Sequence, residues 1–283
     1  MASAPLADVP GVPAAAGDVW TARPWGDPAE RAREGRAARA GAPRGGHAAF
    51  VPAPGRDPVS ILAAQEADRL PDLVPLRHRR MAETPFAYFR GTPAVMAHDL
   101  ANTPRTGLTV QASGDAHVGN FGLFASPERS LVFDANDFDE TLPGPWEWDV
   151  KRLATSVVIA GRANGFTAVE NRRAAMATVR AYRRRMASFA RMRLIDVWYS
   201  VITDHDIRVA IEATDWYGGS TGRRRRAALE SIFTKARRRD GLRAFHSLTR
   251  LVDGHRRIVE DPPMVVRVDV AGVAADLERV FLD

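Results

Sequence analysis

The arrangement of apolar and polar positions along the chain predicts helices in its first third. Apolar residues recur at helical spacing after an Asp-Pro pair at 57–58 and again after a Thr-Pro pair at 84–85. Asp and Thr side chains accept hydrogen bonds from the first free amides of a helix, and Pro fits its first turn. We therefore predict helices that begin at Pro58 and at Pro85, the first of which ends before Pro71.

Short apolar runs in the middle of the chain predict strands. Residues 108–112 alternate between apolar and polar, and the apolar runs 121–124 and 131–133 are separated by a Pro-containing turn at 127–129. Runs this short, bounded by Gly, Pro, Asn and Asp, are typical of strands. Three short strands are expected here.

The second half of the chain returns to helical spacing. Apolar residues recur every three or four positions from Trp146, and a capping box at 167–170 predicts a second long helix. We expect one face of that helix to be buried in the core, namely Met176, Val179, Tyr182, Met186 and Phe189. Further helices are expected after residue 204, ending in an amphipathic segment at 268–282.

The N-terminal region differs in composition from the rest. Residues 1–56 are rich in Ala, Pro, Gly and Arg and show no sustained period, which predicts a disordered leader. Residues 57–283 are expected to form the folded domain, with an α+β, mostly helical fold.

Composition excludes several classes of protein. The chain has no Cys, which excludes disulfides, thiol nucleophiles and Cys-ligated zinc. It has no basic, apolar signal sequence and no run of about 18 apolar residues. We expect a cytoplasmic protein with no membrane partner.

The charged residues are dominated by Arg. Net charge is +6, and Lys151 and Lys235 are the two lysines. Arg clusters at 183–185, 223–226 and 237–239 could bind a phosphate backbone, and such binding would fall steeply with salt. Arg runs on helices are more often solvated faces, so an Arg-rich nucleic-acid binder is the weaker alternative.

Acidic residues are concentrated between the predicted strands. Four Asp lie within residues 115–139. Any single Asp or Asn at a strand end is more often a turn cap than a catalytic group. Four carboxylates together, however, repel one another unless cations or donors compensate them. The candidate donors are Arg77, Arg79, Arg80 and Arg90.

Three spacings in this segment resemble the aminoglycoside phosphotransferases and related kinase-like enzymes. Gly114-Asp115-x-His117-x-x-Asn120 is similar to their catalytic loop, and Asp137-Phe138-Asp139 looks like their metal-binding motif. Asp149 is similar to a later Asp that supports the catalytic loop. The resemblance implies a protein-kinase-like catalytic lobe.

The resemblance also implies roles for individual residues. Phosphoryl transfer requires Mg²⁺ held by oxygen ligands and an oriented acceptor hydroxyl. Asp115 is the candidate catalytic residue that orients the acceptor, and His117 is a second candidate for which we favour a loop-holding role. Asn120 and Asp137 are the candidate metal ligands, with Asp139 as an alternate. Structural support is expected from Asp149 and Arg90, and the implied cofactors are Mg²⁺ and ATP.

The longer run from about residue 77 to 165 resembles a bacterial family catalogued as domain of unknown function 2252. Longer members of that family carry a glycine run and a strand lysine after the catalytic region. Kinase-like enzymes need both over the nucleotide phosphates, and this chain has neither before Asp115. We expect the nucleotide lobe to be missing from this chain, so that an enzyme would be complete only if a separate chain supplied that lobe.

The hypotheses therefore remain open at this point. The first is a phosphotransferase that acts on an unknown small-molecule acceptor. The second is a catalytically inactive binding module or a truncated fragment of a kinase-like protein. A metal-dependent hydrolase is a further possibility, against which stands the presence of a single His, His117, among the acids.

Overall fold

A computed structural model of the chain describes residues 27–67, 69–214, 222–237, 245–246, 248–262 and 265. Its helices, in chain order, are α1 (Pro28–Gly41), α2 (Pro58–Glu66), α3 (Val74–Ala82), α4 (Pro85–Arg90), α5 (Pro93–Ala101), α6 (Trp146–Ala163), α7 (Ala168–Phe189), α8 (Leu194–Trp198), α9 (Asp204–Glu212) and α10 (Gly222–Arg237). Its strands are β1 (Thr109–Ala112), β2 (Phe121–Ala125), β3 (Leu131–Ala135), β4 (Leu142–Pro145), β5 (Thr249–Val252) and β6 (His255–Ile258). The prediction of an α+β, mostly helical fold is confirmed. The predicted helical segment 268–282 lies outside the described residues.

The chain forms two compact units. One comprises the described residues up to 121 together with 135–200, and the other comprises 122–134 and the described residues from 201 onward. The candidate site residues named above all belong to the first unit.

The predicted helix starts of the first unit are confirmed. The Asp57 side chain accepts from the Val59 amide at 3.0 Å, and Thr84 accepts from the Ala87 amide at 3.0 Å. The segment after Thr84 forms two helices, α4 and α5, because Pro93 lacks an amide hydrogen and starts a new helix. The capping box at Thr167 is also present.

The predicted disordered leader differs from the structure between residues 28 and 48. Asp27 caps α1, Pro28 occupies its first turn, and a 3₁₀ helix follows at Arg44–Ala48. The Ala, Arg and Glu residues of this segment are strong helix formers, so helix forms there without an amphipathic period. Residues 1–26 lie outside the described part.

Two paired strands bring the ends of the acidic segment together. Strand β4 pairs antiparallel with β1, with Thr109 opposite Pro145 and Ala112 opposite Leu142. The chain leaves β1 into the loop 113–120 and returns through residues 136–141 into β4. Helix α6 follows β4 directly, so its first turns lie next to the loop.

Helix α7 packs against α6. A Cβ on Gly161 would lie 2.0 Å from Asn171 Oδ1, so the two helices approach closely only because residue 161 is Gly. The Trp146 and Tyr182 rings stack at 5.8 Å. The prediction that Met176, Val179 and Met186 are buried was wrong, since they are 42%, 42% and 47% exposed. The physical reason is that α6, the main neighbour among the described elements, covers only a narrow stripe of α7.

The described residues of the second unit form two hairpins and two helices. Strands β2 and β3 pair with each other, and Arg208 of α9 lies over the Phe233 ring of α10 at 4.3 Å. The helices expected after residue 204 are present as α9 and α10, but Thr249–Ile258 forms the hairpin β5–β6. Its turn is Asp253-Gly254, with φ of 51° and 78°, and Asp-Gly is a strong hairpin signal.

No helix in the described part of the chain is long and apolar enough to cross a membrane.

Candidate functional site

The loop after β1 is held in place by a glycine and an aspartate. Gly114 has φ of +75°, and a Cβ at this position would lie 2.0 Å from the Glu140 carbonyl oxygen, so only Gly fits. The Asp149 carboxylate of α6 accepts from the Ser113 amide at 2.7 Å and the Gly114 amide at 3.1 Å. Burial raises the pKa of Asp149, and these two hydrogen bonds lower it but do not cancel the effect of burial. Asp149 therefore fastens the start of the loop to α6.

Asp115 lies between a buried arginine and a buried histidine. Its Oδ1 accepts from Arg152 Nε at 2.8 Å and also from Arg152 Nη2. Its Oδ2 lies 3.3 Å from His117 Nε2. Burial opposes ionisation, but the hydrogen bond from His117 and the charge of Arg152 outweigh it and hold the pKa of Asp115 below its usual range. Asp115 is thus a carboxylate at neutral pH, with 19% of its side chain exposed.

Arg152 is 2% exposed, which makes its charge costly without compensation. Its Nη2 donates to the Phe89 carbonyl at 3.0 Å, and its guanidinium lies 4.5 Å from the Phe89 ring centroid. Nη1 lies 3.8 Å from Met96 Sδ. The cation is therefore satisfied by Asp115, by a carbonyl and by an aromatic face.

His117 holds the loop from inside the unit. It is 2% exposed, and its ring meets Phe86 edge to face at 6.0 Å. With the proton on Nε2 it donates to Asp115, and among the described residues Nδ1 has no hydrogen-bond partner. The Val118 amide donates to Ser156 Oγ at 3.0 Å, which fixes the next residue to α6.

Asn120 links the loop to the second acidic segment. Its Nδ2 donates to the Asp115 carbonyl at 3.3 Å and to the Asp137 carbonyl at 3.0 Å. The Asn136 amide in turn donates to the Asn120 carbonyl at 2.9 Å. Since Nδ2 is directed at these carbonyls, Oδ1 is the side-chain atom with which Asn120 can contact a cation.

The two metal candidates beyond Asn120 lie in an exposed turn. Asp137 Oδ1 accepts from the Asp139 amide at 3.4 Å, and both side chains are exposed. Within the residues that the structure describes, no group of three His, Asp or Glu side chains is placed to hold a metal ion. A cation at this site would therefore take only one or two carboxylates from the chain.

Glu140 is a further acidic residue whose charge interacts with that of Asp115. The sequence did not single it out. Burial raises the pKa of Glu140, and the charges of Asp139 and Asp115 raise it further, against Arg69 and Arg77. Nothing in its spacing separates it from the neighbouring turn residues. Its position follows from the close approach of its backbone to Gly114.

The four arginines expected to compensate the acidic cluster differ in their burial. Arg79, Arg80 and Arg90 are exposed, whereas Arg77 is half-buried, donates to the Gly91 carbonyl, and acts on Glu140 through its charge. Arg152 supplies the cation at Asp115 instead.

A helical spacing could have revealed Arg152. Asp149, Arg152 and Ser156 follow one another at three and four residues on α6, which places them on one face. All three bind the loop, through the Ser113 and Gly114 amides, the Asp115 carboxylate and the Val118 amide. These polar residues on one face of a predicted helix are the sequence feature that could have identified Arg152 as a partner of the loop.

Comparison with known proteins gives a family and no further relative. The model of a family described as an uncharacterized protein conserved in bacteria, DUF2252, matches residues 69–281. No curated protein and no solved structure gives a significant match.

Proposed function

We propose, from the premise that this chain belongs to the DUF2252 family of uncharacterized bacterial proteins, that it carries the acceptor and metal half of a Mg²⁺- and ATP-dependent phosphotransferase. The acceptor is a small molecule with a hydroxyl group. The residues of the proposed site lie in the loop 113–120, in the turn 136–141 and on α6.

The observation that carries the proposal is the amide of Asn120. Its two hydrogen bonds, to the carbonyls of Asp115 and Asp137, hold a loop carboxylate and an exposed carboxylate in one fixed arrangement. Phosphoryl transfer depends on such positioning more than on covalent chemistry, because its transition state is loose and highly charged. Asp149 supports the same arrangement from α6.

The state of Asp115 suits orientation of an acceptor. Its low pKa makes it a weak base, and a loose transition state needs little proton abstraction before the phosphoryl group moves. We propose that Asp115 accepts a hydrogen bond from the acceptor hydroxyl and keeps its oxygen in line. Arg152 and His117 are positioning residues that hold the carboxylate still.

The donor set fits Mg²⁺. Asn120 Oδ1 and the Asp137 carboxylate would hold the ion, with Asp139 as an alternate ligand, and Mg²⁺ commonly binds one or two carboxylates together with waters and substrate phosphates. Bound there, the ion would neutralise charge on the phosphates of ATP. The exposure of Asp137 suits a ligand that meets Mg²⁺ carried in by a nucleotide.

The groups that cover the nucleotide phosphates are proposed to come from a partner chain. No lysine precedes Asp115, and Lys151 is held by Thr103 at 2.7 Å, on a half-buried stretch of α6.

A second candidate function, an inactive binding module, rests on the same ion pair. Arg152 occupies one oxygen of Asp115 with two donors, and 19% of the side chain is exposed. A carboxylate held in this way can serve the fold alone.

Calorimetric titration of the purified protein with ATP, with and without Mg²⁺, separates the two functions. The phosphotransferase proposal expects Mg²⁺-dependent nucleotide binding that Asp137→Asn abolishes. Glu128→Gln, in an exposed turn of the other unit, is the matched control and should bind normally. Asp139→Asn tests the alternate ligand. A folded wild-type protein that binds neither nucleotide nor Mg²⁺ at millimolar concentrations would remove the metal site assigned to this chain and support the binding module instead.

A further inference from the structure

The first unit contains a large cavity on another part of α6. Its volume is about 930 Å³, and its wall is formed by α4, α5, α6, the end of α3, residues 47–50 and Arg56. Cavities of about 300 to 1,000 Å³ are typical of small-molecule sites, so this one has room for a ligand of that class.

Most of the wall is apolar. The main apolar side chains are those of Phe50, Met81, Phe89, Val95, Met96 and Ile159. A ligand that fills the cavity must therefore have an apolar body, since these side chains offer it no hydrogen bonds.

Among the charged groups of the wall other than Lys151, Arg56 and Asp99 neutralise each other, Glu83 is exposed and His47 is partly exposed. Arg56 donates from Nε and from Nη2 to the two carboxylate oxygens of Asp99, which forms an ion pair. Glu83 is exposed, and His47 lies in the 3₁₀ helix at the edge of the wall. Neither the pair nor these residues offers a free cation to the interior.

Lys151 is a cation of this wall with no carboxylate in direct contact, although the charge of Glu147, one turn earlier on α6, acts on it. Its Nζ donates to Thr103 Oγ1 at 2.7 Å, and Thr103 uses its own hydrogen on the Leu100 carbonyl at 2.8 Å. Among the described residues, no carboxylate lies within 4 Å of Nζ. An ammonium group has three donors, and the structure gives one of them a partner.

We infer that this cavity binds a small amphipathic carboxylate, with its apolar body against the wall and its head group on Lys151 Nζ. Burial lowers the pKa of Lys151, with Glu147 acting in the opposite direction, so an anion beside it removes an existing electrostatic cost. Binding of a ligand in this cavity does not require the proposed phosphotransferase activity. It also shares Phe89 and Met96 with the environment of Arg152, so a bound ligand would contact the residues on which Arg152 rests.

The lysine content makes a direct test possible. Growth on ¹³C,¹⁵N-lysine labels Lys151 and Lys235 without changing their ammonium groups, and NMR distinguishes the two lysines through the variants Lys151→Met and Lys235→Met. The probe is decanoate, with decan-1-ol and decyltrimethylammonium as neutral and cationic probes of equal chain length.

We expect decanoate to shift the Lys151 signal and to raise the pKa of Lys151, because an adjacent anion favours the charged form. The Lys235 signal, from an exposed side chain of α10 in the other unit, should not move. Decanol should bind about tenfold more weakly or worse, since a charge-assisted hydrogen bond is lost. The cationic probe should not bind at the site.

The contradicting results are equally clear. Equal binding of decanoate and decanol by the wild-type protein would overturn the role of Lys151, as would unchanged decanoate affinity in Lys151→Met. A decanoate shift of Lys235 as large as that of Lys151 would mean nonspecific association. Absence of decanoate binding to the folded protein would overturn the site itself.

Discussion

Lys151 and Arg152 are consecutive residues of one helix, yet their charges are in opposite situations. Arg152 is almost fully buried and meets the Asp115 carboxylate with two nitrogens. Lys151 is half-buried, and among the described residues its Nζ has the Thr103 hydroxyl as its hydrogen-bond partner. The helix turns one cation toward the loop after β1 and the other toward the apolar cavity.

The difference separates a charge that the fold satisfies from one that it leaves available. A buried cation with its own anion is held in place, and removal of either partner leaves the other uncompensated. A half-buried cation without an anion carries a desolvation cost that a ligand can relieve. The first belongs to the internal structure of the proposed active site, and the second is suited to recognition.

The largest loss of stability is expected from Arg152→Met. Removal of the guanidinium leaves the Asp115 carboxylate buried without its cation, and breaking such a pair typically costs about 3–5 kcal/mol. Urea denaturation measures the free energy of unfolding. Arg162→Met, an exposed position on the same helix, is the matched control and should change it by less than about 0.5 kcal/mol.

A second substitution tests the cause of that loss. Asp115→Asn in the Arg152→Met background removes the orphaned charge, so the double variant should be more stable than Arg152→Met alone. If Arg152→Met costs no more than its control, Arg152 is held by Phe89 and Met96 packing and not by the ion pair.

A smaller loss of stability is expected when the pH is lowered. Because the pKa of folded Asp115 lies below its unfolded value, its stabilising contribution is complete above the unfolded pKa of about 3.9 and is lost as pH falls through the folded pKa. Asp149 and Glu140 have raised pKa values and act in the opposite direction.

The difference in unfolding free energy between wild type and Asp115→Asn isolates the Asp115 contribution. It should be largest near neutral pH and shrink below about pH 4, in the range set by the unfolded pKa of Asp. A difference that stays constant across this range would mean that Arg152 and His117 do not stabilise the ionised form.

Much of the fold could be predicted from local sequence. Asp57, Thr84 and Thr167 act at the helix starts where their side chains predicted caps, because capping depends on residues two or three positions apart. The burial of α7 could not be predicted in this way. An apolar stripe shows which face could be buried, and only the neighbouring elements decide how much of it is covered.

The candidate site was predictable only as far as spacing reaches. The sequence could single out Asp115, Asn120 and Asp149 as candidates because they lie at the spacings of one motif. The partners Arg152 and Glu140 come from other segments, brought in by the β1–β4 pair and by the contact between Gly114 and Glu140. The cavity depends on residues 47–50 and on Arg56, part of the region for which the sequence predicted a disordered leader.

The smallest change in the free energy of unfolding is expected from Lys151→Met. This variant tests the difference between Lys151 and Arg152 most directly. Methionine keeps the apolar stem and removes a desolvated charge that no carboxylate of the described residues contacts directly, so the variant should be as stable as the wild type or up to about 1 kcal/mol more stable. Because burial depresses the pKa of Lys151, the wild-type chain recovers stability as pH rises from the folded toward the unfolded pKa of about 10.4. The advantage of the variant, measured by urea denaturation at pH 7 and pH 10, should therefore shrink with rising pH. A loss of several kcal/mol at pH 7, comparable to that of Arg152→Met, would place both cations in the same class and remove the reason to expect an anionic ligand at the second.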